Sequence, residues 1–475
     1  MTTATILGAG PNGLTAAAVL ARAGLDVTIV ERLPYPGGAA SSGPALGDGT
    51  IVDLGAAAHP FGATSPAFRD LGIERHGVEW VHAEYPFAHP LDHPRAAILH
   101  RDAERTAAEL GVDRRAWLAL HAPATDHPYD TAEAIFQPPL SIPTHPLLMA
   151  RLGARGAWPA DTIAHTIFRS GAARALFAGA ATHATLALTH VLTGAFGIAF
   201  GGVGHATGWP FAKGGTQTIS DALLAIARSH GARIELGTEI ADLRELPAAD
   251  VTLLDITPHQ LLRLARGRLE PRYARALSRW DYGPGVSKVD WLLDGPVPWR
   301  DPRVARAGTV HVGGTIGEIA AAERDVSRGR MPDRPFVLAT QPTAADPARA
   351  PEGRHILWGY AHVPNAYPHD ALPQIETQIE RYAPGFRDRI VERVSTPPAM
   401  LERWNPNLVG GAIGGGSLGG LQQLFRPVAK LDPYRVSTKS GAERVFLCSS
   451  STPPGGGVTG MSGWHAAQSV LRSLG

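Results

Sequence analysis

The residues best placed to do chemistry at the start of this chain are three glycines and a glutamate. In TILGAGPNGLTAAAVLARAGLDVTIVER, an apolar run leads into Gly8, Gly10 and Gly13, an alanine-rich helical stretch follows, and a second apolar run ends at Glu31. Gly8 permits a tight turn out of the first strand, Gly10 lets the backbone approach a pyrophosphate, and Gly13 lets the helix press against the sheet. The helix N-terminus offers unpaired N–H groups and a partial positive charge to phosphates. Glu31 stands eighteen residues after Gly13, where a carboxylate can accept both ribose hydroxyls. Strand, glycine turn, helix and acid in this order predict a dinucleotide site, and taken alone they fit FAD and NAD equally.

Two further side chains are candidate reacting groups. The chain holds four lysines, at 213, 288, 430 and 439, against forty arginines. Lys288 stands in the apolar run SKVDWLLDGPVPW, and an ammonium can lose its proton on burial whereas a guanidinium cannot. The plainer alternative is a surface lysine on an edge strand. His59 follows a small-residue turn after Asp53 and could steer a substrate or move a proton; a structural histidine satisfied by backbone is the other reading. No His/Cys/Asp/Glu spacing suggests a metal site, and without a GxSxG elbow a hydrolase triad has no support.

The elements that must position these groups are legible in outline. PYPGGAASSG after Glu31 is a glycine turn, and 51–146 reads as irregular, rich in His and Pro. Helical periodicity returns from about Asp161. A loop at Lys213–Thr216 opens a helix over 217–229, RIEL is a short strand, VTLLDITP is a strand closing on a proline turn, SKVDWLLDGPVPW alternates like a strand that runs into a proline turn, and strand-like runs recur at 336–342 and 355–364. The tail reads as strand, glycine loop and final helix. From Ala175 to Ala212 there is no charged residue. Its histidines, threonines and glycines favour a buried helical segment lining an apolar cavity over a bilayer span, with shallow membrane contact left open.

With 475 residues the prior is two intertwined domains. A net charge of +1 with no basic run gives no nucleic-acid footprint. Cys448 is the single cysteine, which excludes an internal disulfide and a CxxC redox pair, so electron chemistry requires a bound cofactor. An early first strand leaves no room for a signal peptide, and a cytoplasmic location is expected.

The opening GAGPNG with Glu31, DLGAAAHPFG around His59, WPFAKGGTQTISDAL, GPGVSKVDWLLDGPVPW, LWGYAHVPN, NPNLVGGAIGGGS and the terminal TPPGGGVTGMSGWHAA occur in an order that resembles the phytoene dehydrogenase-like branch of the FAD-dependent oxidoreductases, which share a fold with the amine oxidases. The resemblance covers nearly the whole chain. It implies an α/β fold: a Rossmann-type FAD-binding domain assembled from 1–80, 211–280 and 425–475, with an inserted α+β substrate domain from 81–210 and 281–424. It implies one extended FAD contacting Gly8, Gly10, Pro11, Asn12, Gly13, Glu31, Arg32, Gly37, Gly38, Ala39, Ser41, Ile240, Ser450, Gly457 and Val458. Where amine oxidases place an Arg after the second glycine pair, this chain has Ala39; where many relatives place an acid beside the ribityl chain, it has Ser450 and Ser451. A helix behind Gly455–Val458 would set its dipole toward the flavin and favour the reduced ring.

The same resemblance implies that Lys288 holds a water near flavin N5, that His59 lies against the ring, and that Trp209, Trp358 and Trp464 wall the substrate cavity. The expected activity is hydride abstraction from an apolar, isoprenoid-like substrate, where orientation in a dry tunnel supplies most of the catalysis. The alternatives are amine oxidation, a redox-neutral isomerase or hydratase, and a non-catalytic FAD-binding scaffold. Substrate identity, terminal electron acceptor and oligomeric state stay open.

Overall fold

The computed structural model describes residues 1–139 and 141–475. Among the described residues the strands gather mainly into two sheets. The first is parallel, in the order Val445–Leu447, Val251–Leu254, Thr3–Leu7, Asp26–Val30, Arg233–Glu235. Parallel strands are covered on both faces and so read as near-continuous apolar runs; Ile6, Val27, Ile29, Leu253 and Phe446 are all buried in one core. The crossover helix Pro11–Arg22 lies close against the sheet because Ala16, Ala17 and Ala18 are fully buried and present almost no side chain.

The second sheet is mixed, in the order Ile390–Thr396, Gly285–Leu293, His355–Val363, Val337–Thr340, Ala307–Val312, Tyr85–His89, Ala97–Leu99. Only the pair of Ala307–Val312 with Tyr85–His89 is parallel among the described residues. Gly285–Leu293 is buried throughout and paired on both sides, so Lys288 does not stand on an edge strand.

One local expectation is corrected. The stretch 51–146 is not irregular: it carries helices Pro66–Leu71, Ala103–Glu109, Arg114–Asp126 and Pro128–Ile135. Prolines concealed them, since Pro66 and Pro128 open helices, where a missing N–H costs nothing, and Pro123 sits inside one. The uncharged segment is helical, as two helices, Gly171–Ala181 and Thr193–Ala206, separated by a turn with positive φ at Thr185 and Leu192. Its glycines admit neighbouring rings: a Cβ on Gly197 or Gly201 would fall 2.5 Å from Phe177 or His121. No helix among the described residues is long and apolar enough to cross a membrane.

Candidate functional site

A cavity of about 660 Å³ begins at the C-terminal ends of the parallel strands and reaches the face of the mixed sheet. Gly8, Glu31 and Asp255 follow three of those strands directly and Ser449 follows a fourth after one residue; the first two were legible in the glycine motif. Ligands of open α/β sheets bind at this edge.

At the nucleotide end the glycines are required by contact. A Cβ on Gly13 would lie 2.1 Å from the carbonyl of Gly8, whose own φ is +99°. The Glu31 carboxylate accepts the N–H of Ala9 and of Leu33, each at 2.8 Å. Each oxygen retains a lone pair for a ribose hydroxyl. Asp255, which the sequence did not single out, accepts the N–H of Gly13 at 3.0 Å. Burial, helped by the nearby Glu31 charge, pushes its carboxyl up to about 7. The signal was present as an acid ending the apolar run VTLLD.

At the far end of this half, three loops interlock. A Cβ on Gly415 would fall 2.2 Å from Ser450 Oγ, and one on Gly456 would fall 2.8 Å from the Gly414 carbonyl. Ser451 donates to the Gly415 carbonyl at 2.6 Å, and fully buried Arg426 donates to the Ser450 carbonyl at 3.1 Å. The final helix starts at Met461, behind Gly460 at φ 69°, two residues later than the glycine loop suggested. Asn12 Oδ1 accepts the N–H of Gly463 at 3.4 Å, so the N-termini of the first and last helices lie side by side.

Of the expected cofactor contacts, Gly8, Gly10, Pro11, Asn12, Glu31, Arg32, Gly38, Ala39, Ile240, Ser450, Gly457 and Val458 line the cavity. Gly13, Gly37 and Ser41 stand behind the wall: Gly13 lies in the first helix against the Gly8 carbonyl, Gly37 turns the chain at φ +124°, and Ser41 donates to the Gly38 carbonyl at 2.8 Å. Arg32 donates to the Trp404 carbonyl. The interlocked glycines, a ribose-competent carboxylate and two adjacent helix N-termini fit a long dinucleotide with an anionic middle.

The other half of the cavity is apolar and aromatic. Phe61, Phe196, Phe200, Trp209, Leu338 and Tyr360 line it, and Phe61 meets Phe200 edge-on at 4.8 Å. Lys288, His59, Trp209 and Trp358 also face it, whereas Trp464 does not. Trp464 occupies the start of the last helix and packs on the core of the parallel sheet. The Lys288 ammonium donates to the Asp290 carboxylate and sits 5.5 Å from the Trp358 ring centre. Burial pushes the Asp290 carboxyl up, and Lys288 opposes that shift. His59 Nε2 is 2.8 Å from Thr216 Oγ1, which itself donates to the Ala56 carbonyl at 2.8 Å. His59 Nε2 must therefore be the donor, and burial pulls this imidazole down to about 4.

One knot that no sequence spacing announces holds this half in place. Buried Asp53 pairs with Arg349 at 2.6 Å and accepts the Thr216 N–H at 2.8 Å, while its carbonyl accepts the Trp358 indole N–H at 2.9 Å. Outside the cavity, half-buried Asp130, Glu133 and His145 converge, with His145 Nε2 at 3.1 Å from Glu133; an ordinary hydrogen bond accounts for the contact.

Residues 6–71 match the family model of the NAD(P)-binding Rossmann-like domain. Over 99% of its length the chain is 25% identical to pyridine nucleotide-disulfide oxidoreductase domain-containing protein 2 of Rattus norvegicus, of which it covers 93%. It is 25% identical to the neurosporene-forming phytoene desaturase of Rhodobacter capsulatus over 53% of this chain and 51% of that one. The structure of putrescine oxidase superposes with a TM-score of 0.62 at 18% identity, covering 99% of both chains, a likeness of fold.

Proposed function

We propose that this chain, a member of the FAD-dependent oxidoreductase superfamily to which the phytoene desaturases and amine oxidases belong, holds FAD in the glycine-lined half of its cavity and dehydrogenates an apolar substrate in the other half. A bound flavin would supply the hydride acceptor. Gly8, Gly10 and Gly38 would let the backbone approach the pyrophosphate, and Glu31 would hold the ribose. The two helix N-termini would favour negative charge on the cofactor.

The observation that carries the apolar reading is the distribution of charge along the lining. Among the described residues its acids are Glu31, Glu239 and Asp255, all at the nucleotide end. In the aromatic half the charged group is Lys288, a cation, which already occupies the face of Trp358. An ammonium substrate would meet a like charge and find its aromatic face taken. A hydrocarbon loses nothing there and gains from burial at about 25 cal/mol per Å² of apolar surface. The dry walls also exclude water from the reacting carbons.

The test is anaerobic mixing of FAD-loaded protein with limonene or phytoene on one side and putrescine on the other. Bleaching of the oxidised flavin band by a terpene hydrocarbon and not by the diamine is the expected result. Bleaching by putrescine alone would overturn the apolar reading.

A further inference from the structure

Behind the aromatic half of the cavity lie three histidines that the reading above leaves unused. His183 sits on the turn Thr182–Ala184 between the two uncharged helices and lines the cavity. His311, on strand Ala307–Val312, and His89, on the neighbouring strand Tyr85–His89, are both fully buried. His183 Nε2 lies 3.0 Å from His311 Nε2. His311 Nδ1 and His89 Nδ1 are both buried without a partner among the described residues. They flank one hollow: a Cβ on Gly179 would fall 2.8 Å from the first and 2.9 Å from the second. His89 Nε2 ends the row, 2.7 Å from the Gly314 carbonyl oxygen.

The contact between His183 and His311 needs one proton, which either ring can supply, so two arrangements are open to this row. Burial pulls all three imidazoles down, His89 to about 4 and His183 to about 3, so each is neutral and carries one N–H. A carbonyl only accepts, so His89 Nε2 donates to Gly314 and its Nδ1 is a bare lone pair. Were His311 Nδ1 also bare, two lone pairs would face each other across a dry hollow, which a low-dielectric interior penalises. The arrangement that avoids this places the His311 proton on Nδ1 and presents a bare Nε2 to His183. His183 must then donate from Nε2, which leaves its Nδ1 without a proton.

We propose that His183 is the catalytic proton acceptor of the substrate cavity, with its bare Nδ1 set by His311 and His89 as positioning residues. The proposal rests on the dehydrogenase reading above. When a hydride leaves one substrate carbon with its electron pair for the oxidised flavin, the adjacent C–H becomes strongly acidic. That bond breaks, its electrons become the new π bond, and the proton passes to His183 Nδ1. A weak, buried base suffices against so acidic a C–H. The imidazolium formed lies 4.7 Å from the Phe200 ring and is tilted 32° to it, within reach of a cation–π contact.

The tautomer is read directly by ¹⁵N NMR of histidine-labelled full-length protein, with His183→Gln identifying the signal. The expected result is a His183 protonated on Nε2 alone, and a loss of that preference in His311→Phe. A His183 protonated on Nδ1 overturns the proposal whatever the turnover. With a terpene that bleaches the wild type, His183→Phe and His183→Gln should each slow bleaching on the order of 10²-fold or more, the range of general-base contributions, with KM little changed. A wild-type rate in either variant also overturns it. Absence of bleaching in the wild type would instead remove the dehydrogenase reading, while the NMR result still decides the tautomer.

Discussion

At the scale of single residues, Lys288 and Asp290 form the pair with most at stake. Both are nearly fully buried, and Asp290 Oδ1 has no partner among the described residues, so the carboxylate depends on one ammonium. Removing one member of a buried pair costs about 3–5 kcal/mol, because the remaining charge is stranded, whereas replacing both is often neutral. Lys288→Met is therefore expected to lower unfolding free energy by about 3 kcal/mol in denaturant titrations, and Lys288→Met/Asp290→Asn to recover most of it. A single variant as stable as the wild type would show that Asp290 is already protonated and the pair is not ionic. The double variant also separates stability from chemistry: full turnover in it would end the role of Lys288 as a holder of water.

At the scale of elements, the approach of the first and last helices decides whether the cofactor half exists. A Cβ on Gly463 would lie 1.9 Å from the Asn12 carbonyl oxygen and 2.7 Å from its carbon, backbone atoms that no rotamer change can move aside. Gly463→Ala must therefore push the two helices apart. Overpacking of this kind typically costs about 1–3 kcal/mol, and here it would also spread the two N-termini that would face the cofactor. The expected outcome is a lower melting temperature and weaker FAD binding in fluorescence titrations. Gly153→Ala, whose new Cβ meets nothing within 4 Å inside helix Pro146–Gly156, should leave both unchanged or gain slightly. These elements also show what a sequence can reveal. The glycine motif, Glu31, the strands at 285–293 and 355–363 and helix Gln217–Ser229 were legible because local turn chemistry and periodicity write them into contiguous residues. The Asp53–Arg349 pair, 296 residues apart in the chain, and the row His183, His311, His89 were not, because only tertiary packing brings them together. Trp464 misled for the opposite reason: an aromatic beside a cofactor loop looks like a wall, and the helix phase turned it to the core.

At the scale of the whole molecule, the buried histidines tie folding to pH. His59, His89 and His205 are pulled down to about 4 and His121 and His183 to about 3, all by burial. In the unfolded chain each titrates near 6.5. Below that value the unfolded state binds protons that the fold refuses, so stability rises with pH and is fully present above about 6.5. It is lost as pH falls toward 4, each histidine contributing a slope of about 1.4 kcal/mol per pH unit once its unfolded form is charged. Asp255 acts in the other direction: with its carboxyl raised to about 7, the fold keeps a proton that the unfolded chain sheds above about 4, and this contribution fades as pH rises to 7. Two raised carboxyls, Asp255 and Asp290, oppose several imidazoles, so the net slope follows the histidines. Thermal unfolding from pH 7.5 down to 4.5 should show a steep fall beginning near 6.5. Asp255→Asn should steepen the dependence between pH 5 and 7, since it removes one of the opposing carboxyls. A melting temperature flat across that range would mean that water reaches these imidazoles and lets them charge inside the fold.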